Sequence, residues 1–126
     1  MNSFEFKAYV VTYEDDGEIV TIGFAENAKN PNNYLIIEYS YEYDDQERSL
    51  GLDKLYLELN DQSRSTYGGL QHVSLNPKKL VFSFDPDALG KLKIEGQLSI
   101  ELMDSLSQDQ LDKIREVLVK EGVKVV

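Results

Sequence analysis

Cysteine is absent from the chain, so no disulfide crosslinks it and no thiolate holds a metal. The same absence suits a reducing compartment. Missing too is any apolar run near the roughly 20 residues a helix needs to cross a bilayer, and no membrane partner is expected. The first residues, Met1-Asn2-Ser3-Phe4-Glu5-Phe6-Lys7, lack the basic start and apolar stretch of a secretory leader, so the expected location is cytoplasmic. Positive charge is scarce. Lys and Arg total 13 against 23 Asp and Glu, leaving a net charge of −10 and a pI near 4.5. That field repels nucleic acid and favours encounter with a basic partner. The one pair of adjacent basic residues is Lys78-Lys79, on a turn, so no nucleic-acid partner is expected.

Catalytic signatures are equally thin. His72 is the single histidine. Ser63, Ser65 or Ser74 would give it a nucleophile, yet a lone histidine on a strand is more often structural. No nucleophile elbow occurs, and Gly68-Gly69 lacks the spacing and the lysine of a phosphate-binding loop. Asp15, Asp16 and Glu18, and again Asp44, Asp45 and Glu47, offer hard oxygen ligands, but neither run follows the calcium-loop pattern. No carboxylate pair stands out for glycoside chemistry. The reading is a protein that is not an enzyme, with no catalytic residue, cofactor or metal assigned.

What the chain does have is strand periodicity. Its 126 residues fit one domain, 1–126, with little room for a second core. Phe4, Phe6, Ala8 and Val10 alternate along a first strand, and Asp15-Asp16-Gly17 turns it back into Ile19 to Glu26. Gly23 inside that second strand marks a bulge or the close approach of another backbone. After an Asn-rich loop, Tyr34 to Tyr43 begins apolar on both faces, as a central strand does. A linker with Gly51 leads to a strand at Leu55 to Asn60. A polar crossing loop from Asp61 to Gly69 then enters a strand at Leu70 to Leu75. Asn76-Pro77-Lys78-Lys79 makes the turn to Leu80 to Asp85. Asp85-Pro86 caps one helical turn that Gly90 is expected to stop. Leu98, Ile100 and Leu102 give the last long strand. Ser107 and Gln110 form a capping box before a helix from about Gln108 to Glu121, striped by Leu111, Ile114, Val117 and Leu118. Gly122 fits its C-terminal cap, and Val123 to Val126 fit a short edge strand.

The expected fold is α+β: a largely antiparallel sheet of about six or seven strands, with one C-terminal amphipathic helix packed on one face. The other face is left solvated, covered by loops, or free as an interface. Glu38 to Glu47 holds three tyrosines and five carboxylates in ten residues. Tyrosine gives rigid contact area with few rotors to freeze, and carboxylates steer a basic partner. The candidate partner-binding residues are therefore Tyr39, Tyr41, Glu42, Tyr43, Asp44, Asp45 and Glu47, with Arg64 and Tyr67 as lesser candidates on the crossing loop.

Several local patterns carry a resemblance. They are Ile22-Gly23-Phe24-Ala25, Asn33-Tyr34-Leu35-Ile36-Ile37, Glu58-Leu59-Asn60-Asp61-Gln62, Tyr67-Gly68-Gly69-Leu70 into Val73-Ser74-Leu75, Leu80-Val81-Phe82, and Ile114-Arg115-Glu116-Val117-Leu118. In this order they resemble the small α+β immunity proteins of bacterial polymorphic toxin systems, specifically immunity protein family ten. The resemblance implies a non-enzymatic inhibitor that binds a cognate toxin domain and protects the producing cell. The charge suits a basic toxin such as a nuclease. The alternative is a general protein- or ligand-binding module, monomer or homodimer.

Overall fold

A computed structural model describes residues 3–126, so Met1-Asn2, the start of the stretch expected above to lack a secretory leader, lie outside the described residues. The elements in chain order are β1 (Phe4–Ala8), β2 (Val10–Asp15), β3 (Ile19–Ala25), β4 (Tyr34–Ser40), α1 (Asp45–Ser49), β5 (Tyr56–Leu59), β6 (Ser65–Tyr67), β7 (Leu70–Leu75), β8 (Lys79–Phe84), α2 (Pro86–Leu92), β9 (Leu98–Leu102), α3 (Gln108–Lys120) and β10 (Lys124–Val125). The class is α+β with a C-terminal helix, as expected. The described strands number ten, however, and form two five-stranded sheets in place of one.

The first sheet runs β1-β9-β8-β7-β10 and the second β2-β3-β4-β5-β6. β4 is central in its sheet, as its doubly apolar start implies. All pairings are antiparallel except β1 with β9 and β10 with β7. Inward-facing rows of both sheets, such as Phe24-Leu35-Leu59 and Phe82-Leu98, are fully buried in one core. Phe24 meets Phe82 edge-on at 6.5 Å between ring centroids, an arrangement the ring quadrupole favours.

The strand expected from Phe4 to Val11 is broken at Tyr9, where the chain leaves the first sheet for the second. Phe6 and Ala8 face the core before the break. After it Val11 and Tyr13 do, as the direct neighbours of Phe24 and Ile22. The alternation slips by one residue, and Tyr9 is left 59% exposed.

The return crossing is at Gly68-Gly69, between β6 and β7. Both glycines have positive φ, +79° and +85°. A Cβ on Gly69 would lie 2.5 Å from the Ala88 Cβ, so α2 seats directly against bare backbone there. Ser65–Tyr67, expected as loop, is instead a short strand on β5, with Thr66 buried. Gly90 does not stop α2. The helix continues to Leu92 and ends at Lys93 in the left-handed region, because buried Ala88 and Leu92 anchor it across the glycine. Gly23 makes no bulge; the close neighbour of a Cβ there would be the Thr12 hydroxyl, 2.7 Å away.

α3 closes the molecule. Leu111, Ile114, Val117 and Leu118 enter the core, while Lys113 stands over Tyr13 of β2 at 5.3 Å and Lys120 over Tyr39 of β4 at 5.8 Å. β10 then joins β7, so the helix and its tail bridge both sheets. Among the described residues the outer face of the second sheet carries no helix contact of this kind. There the hydroxyls of Tyr34 and Tyr56 each donate to the Glu58 carboxylate at 2.6 Å.

Candidate functional site

β4 ends at Ser40, and the residues after it fold back onto the tip of the β2–β3 hairpin. The Tyr41 amide donates to the Glu18 carbonyl at 3.0 Å, and its hydroxyl donates to Asp15 Oδ2 at 2.6 Å. The hairpin tip is itself preorganised. Asp16 Oδ1 accepts from the amides of Glu18 and Ile19 at 2.9 and 2.8 Å, and Gly17 takes φ +88°. These bonds hold Asp15 and Asp16 below the ordinary carboxylate range, through the Tyr41 hydroxyl and the turn amides respectively. The same bond pushes the Tyr41 phenol up to about 12, aided by partial desolvation.

Tyr39 packs edge-on against Tyr41 at 5.4 Å, and Tyr43 donates to Glu121 Oε1 at 3.1 Å, tying this segment to the end of α3. Burial and the Glu121 charge raise the Tyr43 phenol to about 12. The expected linker is then a helix, α1. Asp44 caps it, accepting from the Glu47 amide at 2.7 Å while Glu47 Oε1 accepts from the Asp44 amide at 3.0 Å. Asp45 faces Arg48 at 3.5 Å on the surface. Within this acidic segment, then, Asp44 and Glu47 have local structural work. Glu18 and Glu42 have no side-chain partner among the described residues. Both line an open concavity of about 430 Å³ with Ile19, Ser40, Tyr41 and Glu47.

Of the sequence candidates, Tyr41, Glu42 and Glu47 line this concavity, whereas Tyr39 and Tyr43 meet Lys120 and Glu121 of the α3 end, and Asp44 and Asp45 cap and begin α1. Beside them in the concavity stand Glu18 and Ile19, with Asp15 and Asp16 at the hairpin tip, none of which the sequence reading counted as partner-binding. The signal for them was the hairpin itself. If the second and third strands are antiparallel neighbours, the start of one must meet the end of the other, and Ile19 does pair with Ser40. Arg64 is elsewhere, toward the opposite end of β4. Its Nε donates to the Leu92 carbonyl at 2.9 Å and its guanidinium lies 5.5 Å from the Phe4 ring. Tyr67 is on the outer face of the second sheet, 42% exposed, against Tyr56 at 5.1 Å. His72 sits beside Ser74 and opposite Ser83 on the first sheet. Among the described residues no group of His, Asp and Glu is arranged to hold a metal ion, and no helix is long and apolar enough to cross a membrane.

A family model described as immunity protein 10 matches residues 6–112. The chain belongs to the immunity protein 10 family. The match spans β2 through β9 and reaches into α3. Neither the curated proteins nor the solved structures include a match to the chain. For an immunity protein 10 domain the general role is toxin immunity, a task of protein binding in which catalysis is not expected. Within this family assignment, the patterns that carried the resemblance have identifiable structural work. Asn60, at φ +66°, accepts from the Tyr34 amide at 2.8 Å and donates to Asn33 at 2.9 Å, and Asn33 in turn donates to Glu26. Asp61 accepts from the Ser63 amide at 2.8 Å, which lowers its pKa. Tyr67-Gly68-Gly69 is the crossing between the sheets.

Proposed function

We propose that this immunity protein 10 domain binds and neutralises a basic cognate toxin domain, a nuclease being the class the charge favours, and does so in the cytoplasm of the producing cell. Membership of the family carries the reading. The surface described above supports a place for the contact. Two acidic runs, apart in sequence, converge around exposed Tyr41 (43%) and Ile19 (38%), and this apolar centre with a charged rim is the anatomy of a protein interface. The partner-binding residues we assign are Tyr39, Tyr41, Glu42, Tyr43, Asp44, Asp45 and Glu47, joined by Glu18 and Ile19. Arg64 and Tyr67 are tied into the fold or turned to another face and are the lesser contributors.

Growth rescue tests this reading. Cells expressing the toxin domain encoded beside this chain should survive when the chain is co-expressed and die without it. Glu18→Lys with Glu42→Lys should reduce rescue without lowering the melting temperature, because neither carboxylate has an intramolecular partner among the described residues. Full rescue by that double variant would remove the acidic surface from the account. Failure of the native chain to rescue would remove the toxin pairing.

A further inference from the structure

Among the described residues β2 is the longest edge strand, and no strand pairs with its outer side. Among the described residues its backbone ladder runs only to β3. The other edge of the second sheet, β6, has three residues and lies against α2, and β10 has two. Exposed edges template the addition of another strand, and proteins commonly blunt them with lysine, proline or a covering helix. β2, Val10-Val11-Thr12-Tyr13-Glu14-Asp15, contains neither lysine nor proline, and Thr12 at its middle is exposed.

A concavity flanks this edge on each side. On the outer face Gly23 contributes no side chain opposite Thr12, which leaves an apolar hollow of about 420 Å³ bounded by Val10, Thr12, Ala25, Pro31 and Ile36. Toward α3, a second hollow of about 320 Å³ lies between Val11, Ser105, Leu106 and Gln110. An added strand sends alternate side chains to opposite faces, so a free ladder between two hollows is the geometry of strand-addition recognition.

We propose that this edge receives one extended segment of the toxin, adding a sixth strand to the second sheet. An apolar side chain of that segment fills the hollow over Gly23, and its basic residues lie along Glu14 and Asp104, the latter lining the second hollow. Charge complementarity selects this occupant over a second copy, since pairing two chains of net charge −10 would set like fields against each other. The proposal rests on the toxin-binding reading, and it predicts a footprint separate from the acidic surface at the hairpin tip.

Amide hydrogen exchange of the full chain, alone and with an active-site-disabled toxin domain from the neighbouring reading frame, tests it. The amides of residues 10–14 should gain protection in the complex, and Thr12→Lys should weaken binding by about tenfold or more by placing a lysine on the edge and over Gly23. Because Thr12 is exposed, the melting temperature should not move. A tight complex with unchanged exchange in β2 and unchanged affinity of Thr12→Lys overturns the strand addition and leaves the toxin reading standing. Absence of any complex with the native chain overturns both. Protection of β2 that grows with the concentration of the chain alone assigns the edge to a second copy and overturns the proposal.

Discussion

At the scale of single residues, tyrosine hydroxyls do much of the polar work in this molecule. Tyr34 and Tyr56 share the Glu58 carboxylate, Tyr41 holds Asp15, and Tyr43 holds Glu121. In each case the neutral phenol donates to a carboxylate, so ionisation destroys the bond. All four phenols are raised from the ordinary 10.0 to about 12; desolvation is the leading cause for Tyr34, Tyr43 and Tyr56, and the Asp15 bond for Tyr41. A raised folded pKa contributes stability that is complete below the unfolded value and disappears as pH climbs through the folded one. An ultraviolet titration of tyrosinate should therefore show at least four of the eight tyrosines ionising near 12. All eight titrating near 10 in a folded protein would contradict these contacts. At the acid end the sign reverses. Asp15 is lowered by Tyr41, so its share of stability is intact above the ordinary value of 3.8 and is lost as pH falls through the lower folded value. Asp15 accordingly keeps its charge, and Tyr41 its bond to it, across the neutral range.

At the scale of elements, the two crossings between sheets decide the fold, and they were unequally legible. Tyr67-Gly68-Gly69 announced itself, since paired glycines after a strand pattern imply positive φ. Its energetic weight is measurable. Gly51→Ala, at φ +74° with nothing within 4 Å of the new Cβ, should cost about 1 kcal/mol of backbone strain. Gly69→Ala adds a clash with Ala88 to the same strain and should cost about 2–4 kcal/mol in chemical denaturation. Equal costs at the two sites would mean that α2 is not seated on the crossing. The crossing at Tyr9 was illegible. Phe4, Phe6, Ala8 and Val10 keep perfect alternation through it, and which sheet a strand joins is a tertiary fact that local periodicity does not encode. β6 hid for a different reason: Ser65-Thr66-Tyr67 is too short and polar to show a period. α1 was readable in principle, because Asp44 and Glu47 form a capping box, but the carboxylates drew attention as an interface instead. α3 and the β7–β8 hairpin were plain because caps, apolar stripe and turn residues all agree there.

At the scale of the whole molecule, two sheets enclose one core, and α3 locks them by reaching β2, β4 and β7 through Lys113, Lys120 and the β10 tail. That arrangement leaves the Glu18 and Glu42 carboxylates, exposed Tyr41 and Ile19, and the unpaired side of β2 to solvent or a partner. The candidate surface was half legible in the sequence. Its tyrosine and carboxylate composition was visible, whereas its union with Asp15, Asp16 and Glu18 required the strand order. A net charge of −10 then gives the account its most direct test. The measurement is the association rate of this chain with the toxin domain encoded beside it, followed by rapid mixing at two ionic strengths. The account predicts a one-to-one complex whose association rate falls by at least about tenfold between roughly 0.01 M and 0.15 M ionic strength. A rate indifferent to salt, or no complex at all, would contradict it.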